Sequence, residues 1–387
     1  MIYLDYNAST PMALEVKEAM IHAWDHYGNP SGSHASSRSA EAQLENARQE
    51  IATELGVNPL EVILTSGSTE ALTIALWGQI LGALPERSKV LVSAIEHEAV
   101  IATAKIACKI AGKELVIIPV LGFSSSFQTG QVDLDFISEN IGPDVALIAV
   151  MAVNNETGII QPIEKVAALA RKFEVPFLCD STQAVGKHED FSMRDVSAMF
   201  TVSGHKIYGP KGSGVLVIPR ELQKNLVSIA PGGGQERGIR GGTSNAASAI
   251  GLAKALKFVH NDLQTELRRQ EELRDRLLTA LETEFSDSFT SNSGMANFCL
   301  KNTLNVRFHG ASSDAVLVSM AKVAASRASA CSAGMEEPSH VLLAMGMSSR
   351  EAEESMRFSL GRFTTPEEIE AAIEDVSLAV ARVRTLS

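Results

Sequence analysis

The chain has 387 residues, of which 45% are hydrophobic and 21% are charged, and its formal net charge at pH 7 is -12. This composition is typical of a folded globular protein and excludes a fibrous or disordered chain. Because a nucleic-acid surface needs clustered Lys and Arg, the acidic balance predicts no direct nucleic-acid ligand.

The start of the chain, MIYLDYNASTPM, has no basic segment followed by an apolar one, and no apolar run approaches the length of a membrane span. We therefore expect a cytoplasmic protein that makes no membrane contact. The cysteines lie far apart without a CxxC pair, so the sequence predicts neither a bound metal nor a disulfide framework. They are Cys108, Cys179, Cys299 and Cys331.

Short apolar runs alternate with helix-like segments from about Glu61 to Pro219. In order, the runs are VILT, KVLVSA, ELVIIPV, VALIAVMAV, VPFLCD, MFTVSG and GVLVIP. This alternation predicts an α/β domain with a largely parallel, buried sheet. The segments RSAEAQLENARQEIATEL and PIEKVAALARKF carry helix formers or helical apolar spacing, so we expect them to cover the sheet faces.

The remainder of the chain predicts a smaller α+β domain. After GGTSNAASAIGLAKALKFV a charged helical stretch runs through Phe285, and NTLNVRF and MRFSLGRF are typical of strands. A last helix has one apolar face, formed by Ile369, Ile373, Val376, Val380 and Val383. We predict a large domain over residues 15–257 and a small domain over residues 1–14 and 258–387.

Polar residues follow several of the predicted strands. Asn155 follows VALIAVMAVN, Asp180 follows VPFLC, and Lys206 follows FTVSGH. Because ligands of open α/β sheets bind at the carboxyl ends of strands, we expect these residues to converge on one crevice.

The segment TSGSTEAL resembles the end of a strand that turns into a helix. Free N–H groups and small hydroxyls at such a turn can bind a phosphate, and Ser68 and Thr69 are the natural donors. The ordinary alternative is a helix N-cap supported by Glu70, which needs no ligand.

Lys206 lies in an unusual environment for a lysine that follows an apolar strand. Such a lysine is normally a surface cation, but Ser203 and His205 crowd this one and Asp180 lies on another strand of the same sheet. A lysine with an aspartate partner and phosphate donors predicts pyridoxal 5'-phosphate as cofactor. A desolvated, electropositive pocket would help the amine to lose its proton.

Ten motifs occur along the chain in this order: YLDYNASTP, GNPSGSH, TSGSTEA, EHEAV, VNNETGIIQPI, DSTQAVGK, SGHKIYGPKGSG, GGGQERGIRGGT, SACSAGMEEPSHVL and MRFSLGRFTTPEEI. Together they resemble the cysteine desulfurases, pyridoxal-phosphate enzymes of fold type I in the class V aminotransferase family. The resemblance covers nearly the whole chain. It implies a large domain with a mostly parallel seven-stranded sheet sandwiched by helices, and a smaller α+β domain.

The resemblance also implies roles for the matching residues. Lys206 is expected to bond covalently to the cofactor and to move protons together with His97, which stacks on the ring. Asp180 is expected to pair with the ring nitrogen and Gln183 with the ring hydroxyl. The full cofactor set implied is Ser68, Thr69, His97, Asn155, Asp180, Gln183, Ser203, His205, Lys206 and Thr243.

Two further residues concern the substrate and a second subunit. Arg357 is expected to bind the substrate carboxylate with help from Asn155, since a planar fork suits a carboxylate. Without the resemblance, an arginine inside a strand would be interpreted as part of an edge salt bridge. Thr243 is expected to complete the phosphate site across an obligate homodimer.

Cys331 differs from the other cysteines in its surroundings. The others lie in helical or apolar segments and are interpreted as small core residues, whereas the run ASRASACSAGMEEP predicts an exposed loop. The resemblance makes Cys331 the nucleophile that takes sulfur and becomes a persulfide. An unperturbed thiol with a pKa of about 8.5 is only about 3% thiolate at pH 7, so it needs activation.

The resemblance implies conversion of L-cysteine to L-alanine, with sulfur passing from Cys331 to acceptor proteins such as an iron–sulfur scaffold or a tRNA thiolation enzyme. A selenocysteine lyase and a non-catalytic sulfur-assembly partner are the alternatives. Ala328 stands where the family usually has glycine, which could stiffen the approach of Cys331. Nothing in the sequence explains the further departures at Leu72, Thr73 and Ser181.

Overall fold

The structure is a computed structural model that describes residues 1–123, 129–193, 196–293, 298–327 and 337–386. Its strands are β1 (Ile2–Tyr3), β2 (Val62–Thr65), β3 (Lys89–Ser93), β4 (Glu114–Ile118), β5 (Val145–Ala149), β6 (Phe177–Cys179), β7 (Met199–Ser203), β8 (Gly214–Val217), β9 (Phe289–Ser291), β10 (Thr303–Phe308), β11 (Val323–Ala324), β12 (Ser326–Arg327) and β13 (Ser355–Ser359).

The α-helices of the described residues alternate with the strands through the first half of the chain. They are α1 (Leu14–Trp24), α2 (Ala35–Leu55), α3 (Ser68–Gly82), α4 (Glu98–Ala111), α5 (Leu134–Asn140), α6 (Ile163–Lys172), α7 (Arg220–Gln223), α8 (Ala246–His260), α9 (Leu263–Phe285), α10 (Ser313–Ser319), α11 (His340–Ala344), α12 (Ser349–Glu353) and α13 (Pro366–Leu386).

Among the described residues, seven strands form the large sheet, in the order β2-β8-β7-β6-β5-β3-β4. The pairs among β3, β4, β5, β6 and β7 are parallel, and β8 is antiparallel to both neighbours. Each of the seven apolar runs supplies one of these strands, which confirms the predicted mostly parallel seven-stranded sheet. The strands are short and mostly buried because helices cover both faces.

Each face of the large sheet packs into its own apolar core. On one face, α1, α2, α5, α6 and α8 pack against strand residues such as Leu91, and on the other face α3 and α4 pack against Val90 and Val92. The alternation along β3 follows the two-residue period of a strand. Helix α4 has a clear cap at each end. The His97 side chain is its N-cap, and Gly112, with φ 65°, is its C-cap.

A smaller antiparallel sheet, β12-β13-β10-β9, lies beside the large one, and β1 pairs in parallel with β11. Its core contains the apolar face of α13, as the sequence predicts. The charged helical stretch that was expected to run through Phe285 is α9, which is separated from α8 at Asp262, where φ is 54°. The division between residues 257 and 258 stays a prediction.

The first residues of the chain belong with its last third. Ile2 and Leu4 pack into the core of the small sheet, and Asp5 forms a β-bridge with Ser359. This pairing directs residues 5–9 along the carboxyl ends of the large sheet. Over the residues described here, no helix combines the length and apolar character that crossing a bilayer requires.

Candidate active site

A cavity of about 550 Å³ lies where the large-sheet strands end. This volume falls in the usual range for small-molecule and cofactor sites. Ten of the predicted site residues line it: Ser68, Thr69, His97, Asn155, Asp180, Gln183, Ser203, His205, Lys206 and Arg357. The prediction that separate strand ends converge on one crevice is therefore confirmed, whereas the individual roles remain predictions.

Lys206 enters the cavity from a 3-10 turn, Gly204–Lys206, that directly follows β7. The turn is tightly packed, since a Cβ at Gly204 would overlap the Ser213 side chain. The half-buried amine donates hydrogen bonds to two backbone carbonyls, Asn7 O at 2.7 Å and Ala8 O at 2.8 Å. The N-terminal segment thus holds this amine at the cavity wall.

Asp180 follows β6 and its carboxyl group is held by two threonines. One carboxyl oxygen accepts hydrogen bonds from Thr201 Oγ1 at 3.0 Å, from Thr182 N at 3.0 Å and from the Thr182 hydroxyl. With 6% of its surface exposed, the residue is buried yet lines the cavity. Several donors on one oxygen fix the orientation of a carboxylate in a low-dielectric site.

Helix α3 directs its N-terminus at the same cavity. Gly67 is the N-cap, with φ 148° and no side-chain cap, so neither Ser68 nor Thr69 is the N-cap, although Glu70 supports the first turn by accepting from Ser66 N at 2.6 Å. The first N–H groups of a helix have no partner within it and favour an anion. A Cβ on Gly214 would lie 2.5 Å from Gly67 Cα, so the close backbone approach here depends on glycine.

His205 lines the same cavity, with Nδ1 3.3 Å from Ser9 Oγ. Burial, together with the nearby amines of Lys206, Lys187 and Lys211, lowers the pKa of His205 to about 4. A neutral imidazole can still donate one hydrogen bond to an anion. Lys211 also lines the cavity and adds a positive charge to it.

Arg357 reaches the cavity from β13 of the small sheet and is 1% exposed. Its Nη1 donates to Asn155 O at 2.8 Å, and its Nη2 is paired with Asp5 Oδ1 at 2.7 Å. Within the described part of the chain, Nε has no hydrogen-bond partner. Arg357 therefore forms a salt bridge and also lines the cavity, whereas its role toward a substrate stays a prediction.

His97 lines the cavity at the start of α4, where Nδ1 accepts a hydrogen bond from Ala99 N at 3.1 Å. Because Nδ1 accepts, a neutral ring carries its proton on Nε2. Its neighbour Glu96 is fully buried: burial and the nearby Asp180 raise the pKa of that carboxyl to about 8. Glu156, beside Asn155, is similar, since burial raises its pKa to about 7.

Two predicted residues do not line this cavity in the described structure. Thr243 is exposed and borders a separate cavity of about 160 Å³ that shares Ser66 and Gly212 with the main one. Cys331, together with Ala328, lies outside the described residues. The expectation that the remaining cysteines are core residues is confirmed, because Cys108, Cys179 and Cys299 are buried.

The described residues on both sides of segment 328–336 contact the neighbourhood of the cavity. Before the segment, Ser326 pairs with Arg357 in the small sheet. After it, the Ser339 hydroxyl donates to Glu156, and His340 Nε2 lies 2.9 Å from Glu96 O. Both ends of the segment are thus fastened beside residues that adjoin the site.

Sequence reasoning missed several residues around the cavity: Asp5, Asn7, Ala8, Glu96, Glu156, Thr182 and Lys187. The motif YLDYNASTP drew attention to the first residues without giving any of them a role. Asn7 and Ala8 act through backbone carbonyls, which no residue type signals. Lys187 stands four residues after Gln183, a spacing that could have suggested contact.

The residues present fit pyridoxal phosphate. An amine (Lys206), a fixed carboxylate (Asp180) and an anion-binding helix N-terminus face one cavity, and Arg357 adds a cation for a second anionic group. This set of groups defines the class of pyridoxal-phosphate enzymes.

The comparisons with known proteins agree with this class. Residues 2–372 match the model of the family Aminotransferase class-V. A cysteine desulfurase from Frankia sp. (strain EuIK1) is 39% identical, with 100% of this chain and 93% of that protein covered. A solved structure of a NifS-like protein has a TM-score of 0.88 at 29% sequence identity, and the match covers 98% of this chain and 99% of that one. Another solved structure, SspA in complex with cysteine, has a TM-score of 0.80 at 33% sequence identity, and the match covers 94% of this chain and 100% of that one. The chain belongs to the class V aminotransferase family.

Proposed function

We propose that the protein is a cysteine desulfurase that converts L-cysteine to L-alanine and takes the sulfur onto Cys331 as a persulfide. The observation that carries the proposal is the convergence of Lys206, Asp180 and Arg357 on one cavity. The relative solved with cysteine and the curated cysteine desulfurase, both more than 30% identical, support the same substrate and reaction.

The cofactor and the substrate would be held by different parts of the cavity. Asp180 would pair with the ring nitrogen, and the α3 N-terminus, Ser203 and His205 would bind the phosphate. When bound, the cofactor supplies an electron sink for negative charge at the substrate α-carbon. Arg357, which lines the cavity, would bind the substrate carboxylate through its guanidinium group.

Proton movement falls to two residues at this site. Lys206 Nζ would attach the cofactor and then remove the proton from the substrate α-carbon. His97 would move a second proton through Nε2, because its Nδ1 is held by the helix.

Cys331 Sγ would form a bond to the substrate sulfur while the bond from that sulfur to Cβ breaks. The electron pair of the broken bond goes to Cβ, which takes a proton, so that cysteine and a thiol give alanine and a persulfide. The step balances without an external oxidant or reductant. A reductant is needed afterwards to release the sulfur as sulfide.

The described structure supports Cys331 as the nucleophile in two ways. Burial raises the pKa of Cys108 and of Cys299 to about 11 and that of Cys179 well above its ordinary value, so none of the three is thiolate at neutral pH. Both ends of segment 328–336 are fastened beside the cavity.

Three wider assignments belong to the proposal. We propose an obligate homodimer in which the exposed Thr243 completes the phosphate site of a second copy, and light scattering tests it. We propose transfer of the sulfur to an iron–sulfur scaffold or a tRNA thiolation enzyme, which radiolabelled sulfur can follow. A cytoplasmic location and the division into domains 15–257 and 1–14 with 258–387 remain our predictions.

The reaction is tested with purified, cofactor-loaded protein, L-cysteine and a reductant, by measuring alanine and sulfide. We expect Lys206→Ala and Cys331→Ser to lose activity by about 1,000-fold or more, while Cys331→Ser keeps the yellow absorption band of the bound cofactor. The matched control is Cys108→Ala, a buried cysteine on α4 outside the cavity. We expect it to keep wild-type turnover.

Two outcomes would contradict the assignment. Equal sulfide release by wild type and Cys331→Ser would remove Cys331 as the nucleophile. Protein that binds no pyridoxal phosphate would support the non-catalytic alternative. Comparing turnover of cysteine with that of selenocysteine separates a desulfurase from a selenocysteine lyase.

A further inference from the structure

Lys187 is a buried lysine that none of the roles above uses. It is 7% exposed and does not line the cavity. A buried lysine normally pairs with a carboxylate. Within the described part of the chain, however, no carboxylate oxygen forms an ion pair with this amine. Its partners are two amide oxygens, Gln183 Oε1 at 2.6 Å and Asn7 Oδ1 at 3.2 Å.

The charges around Lys187 oppose its protonation. Burial lowers the pKa of Lys187 well below its ordinary value, and the cations of Lys206 and Arg357 lower it further, against the weaker opposing effect of Asp5. Because both acceptors are uncharged amide oxygens, the amine acts here as a hydrogen-bond donor rather than as half of an ion pair.

The two amide oxygens place Lys187 at one end of a chain of hydrogen bonds. Lys187 donates to Gln183 Oε1, and Gln183 Nε2 donates to Asn7 O at 2.9 Å. The same carbonyl accepts from Lys206 Nζ at 2.7 Å. Gln183 is 3% exposed, and its amide is oriented by two contacts, the bond from Lys187 to its oxygen and the bond from its NH₂ group to Asn7 O.

We propose that Lys187 is a positioning residue that fixes the Gln183 amide with its NH₂ group toward the cavity, as a donor to the ring oxygen of pyridoxal phosphate. The inference rests on the proposed function, in which Gln183 contacts that oxygen. Without Lys187, the amide oxygen could turn toward the ring oxygen and the donor would be lost. The ring oxygen would become more basic, and the bound cofactor would hold its titrating proton to higher pH.

The test is a pH titration of the visible absorption band of the cofactor-loaded protein. We expect Lys187→Met to raise the midpoint by about one unit, and Gln183→Leu to raise it by a similar amount. The double variant should match Gln183→Leu alone, because the two residues act through one contact. The matched control is Lys113→Met, whose amine also donates to uncharged oxygens, Leu84 O and Arg87 O, far along the chain from the cavity. Its midpoint should equal that of wild type.

The outcomes separate this inference from the proposed function. If the wild-type protein neither binds nor titrates pyridoxal phosphate, the proposed function fails. If wild type titrates and Lys187→Met keeps its midpoint while only melting at lower temperature, Lys187 is structural and the inference is overturned. A midpoint shift that persists in the Gln183→Leu background also overturns it. If Lys187→Met does not fold, Lys187→Gln is tested by the same criteria. The glutamine side chain is polar but one bond shorter than lysine, so it no longer reaches the Gln183 oxygen in the same way.

Discussion

Two walls of the cavity differ in how they are built. The strand-end wall consists of residues that follow large-sheet strands, among them Ser68, Asp180 and Lys206. The N-terminal wall consists of Asn7, Ala8 and Ser9, together with Asp5, which lies behind them, pairs with Arg357 and bridges to Ser359. The first supplies side chains for the proposed chemistry, whereas the second supplies carbonyls and a counter-ion that hold those side chains in place. The proposed catalytic groups thus come mainly from the middle of the chain, and their supports come from its first residues.

The sharpest way to test the strand-end wall is Asp180→Ala. We expect the rate of alanine formation to fall by about 100-fold or more, because a carboxylate held by Thr182 and Thr201 would no longer face the ring nitrogen. Steady-state assays of cofactor-loaded protein measure the loss. Asp144→Ala is the control, since this carboxylate is 41% exposed and pairs with Lys89 at the surface. Activity within twofold of wild type would rule out the role of Asp180.

The strand-end wall was also the more predictable of the two. Its strands are runs of buried apolar residues, so a local pattern in the sequence reveals both the strand and the polar residue that follows it. Asp180 and Lys206 could be paired in advance for this reason. The N-terminal wall depends on contacts between distant residues, such as Asp5 with Arg357, 352 positions apart. No local periodicity encodes such a contact, and burial of Lys187 follows only from the packing.

A milder change examines the N-terminal wall. Asp5→Asn keeps an oxygen that can accept from Arg357 Nη2 but removes the negative charge beside the proposed carboxylate site. Because a like charge no longer opposes the substrate carboxylate, we expect KM for cysteine to fall about threefold while kcat stays within twofold. The exposed Asp287→Asn serves as the control. A large loss of kcat would show that the two walls cannot be separated as binding support and chemistry.

The smallest expected effect concerns the pH dependence of protein stability caused by Glu96, a buried residue near Asp180. The pKa of Glu96 is about 8 in the folded protein and that of an unfolded glutamate is near the ordinary 4.5. As pH rises through this window the unfolded state loses a proton that the folded state retains, so the free energy of unfolding decreases. We expect Glu96→Gln to lessen this decrease and to gain about 3 °C in Tm, relative to wild type, between pH 5 and pH 8.

Calorimetry at several pH values gives this comparison, with the exposed Glu114→Gln as control. Glu156 contributes a similar, smaller dependence, because its pKa of about 7 is also above the ordinary value. Parallel Tm curves for wild type and Glu96→Gln would mean that the carboxyl at Glu96 is ionised in the folded protein.

The pairing of β1 with β11 has a consequence for the order of assembly during synthesis. A ribosome makes Asn7 and Ala8 before Lys206, yet we expect their carbonyls to be held beside Lys206 only after Val323 and Ser359 have left the exit tunnel. The large sheet can fold while translation continues, because its strands lie within one continuous stretch of chain. In a nascent polypeptide that ends before Val323, Lys206 can therefore take its place after β7 before its carbonyl acceptors at Asn7 and Ala8 are held beside it.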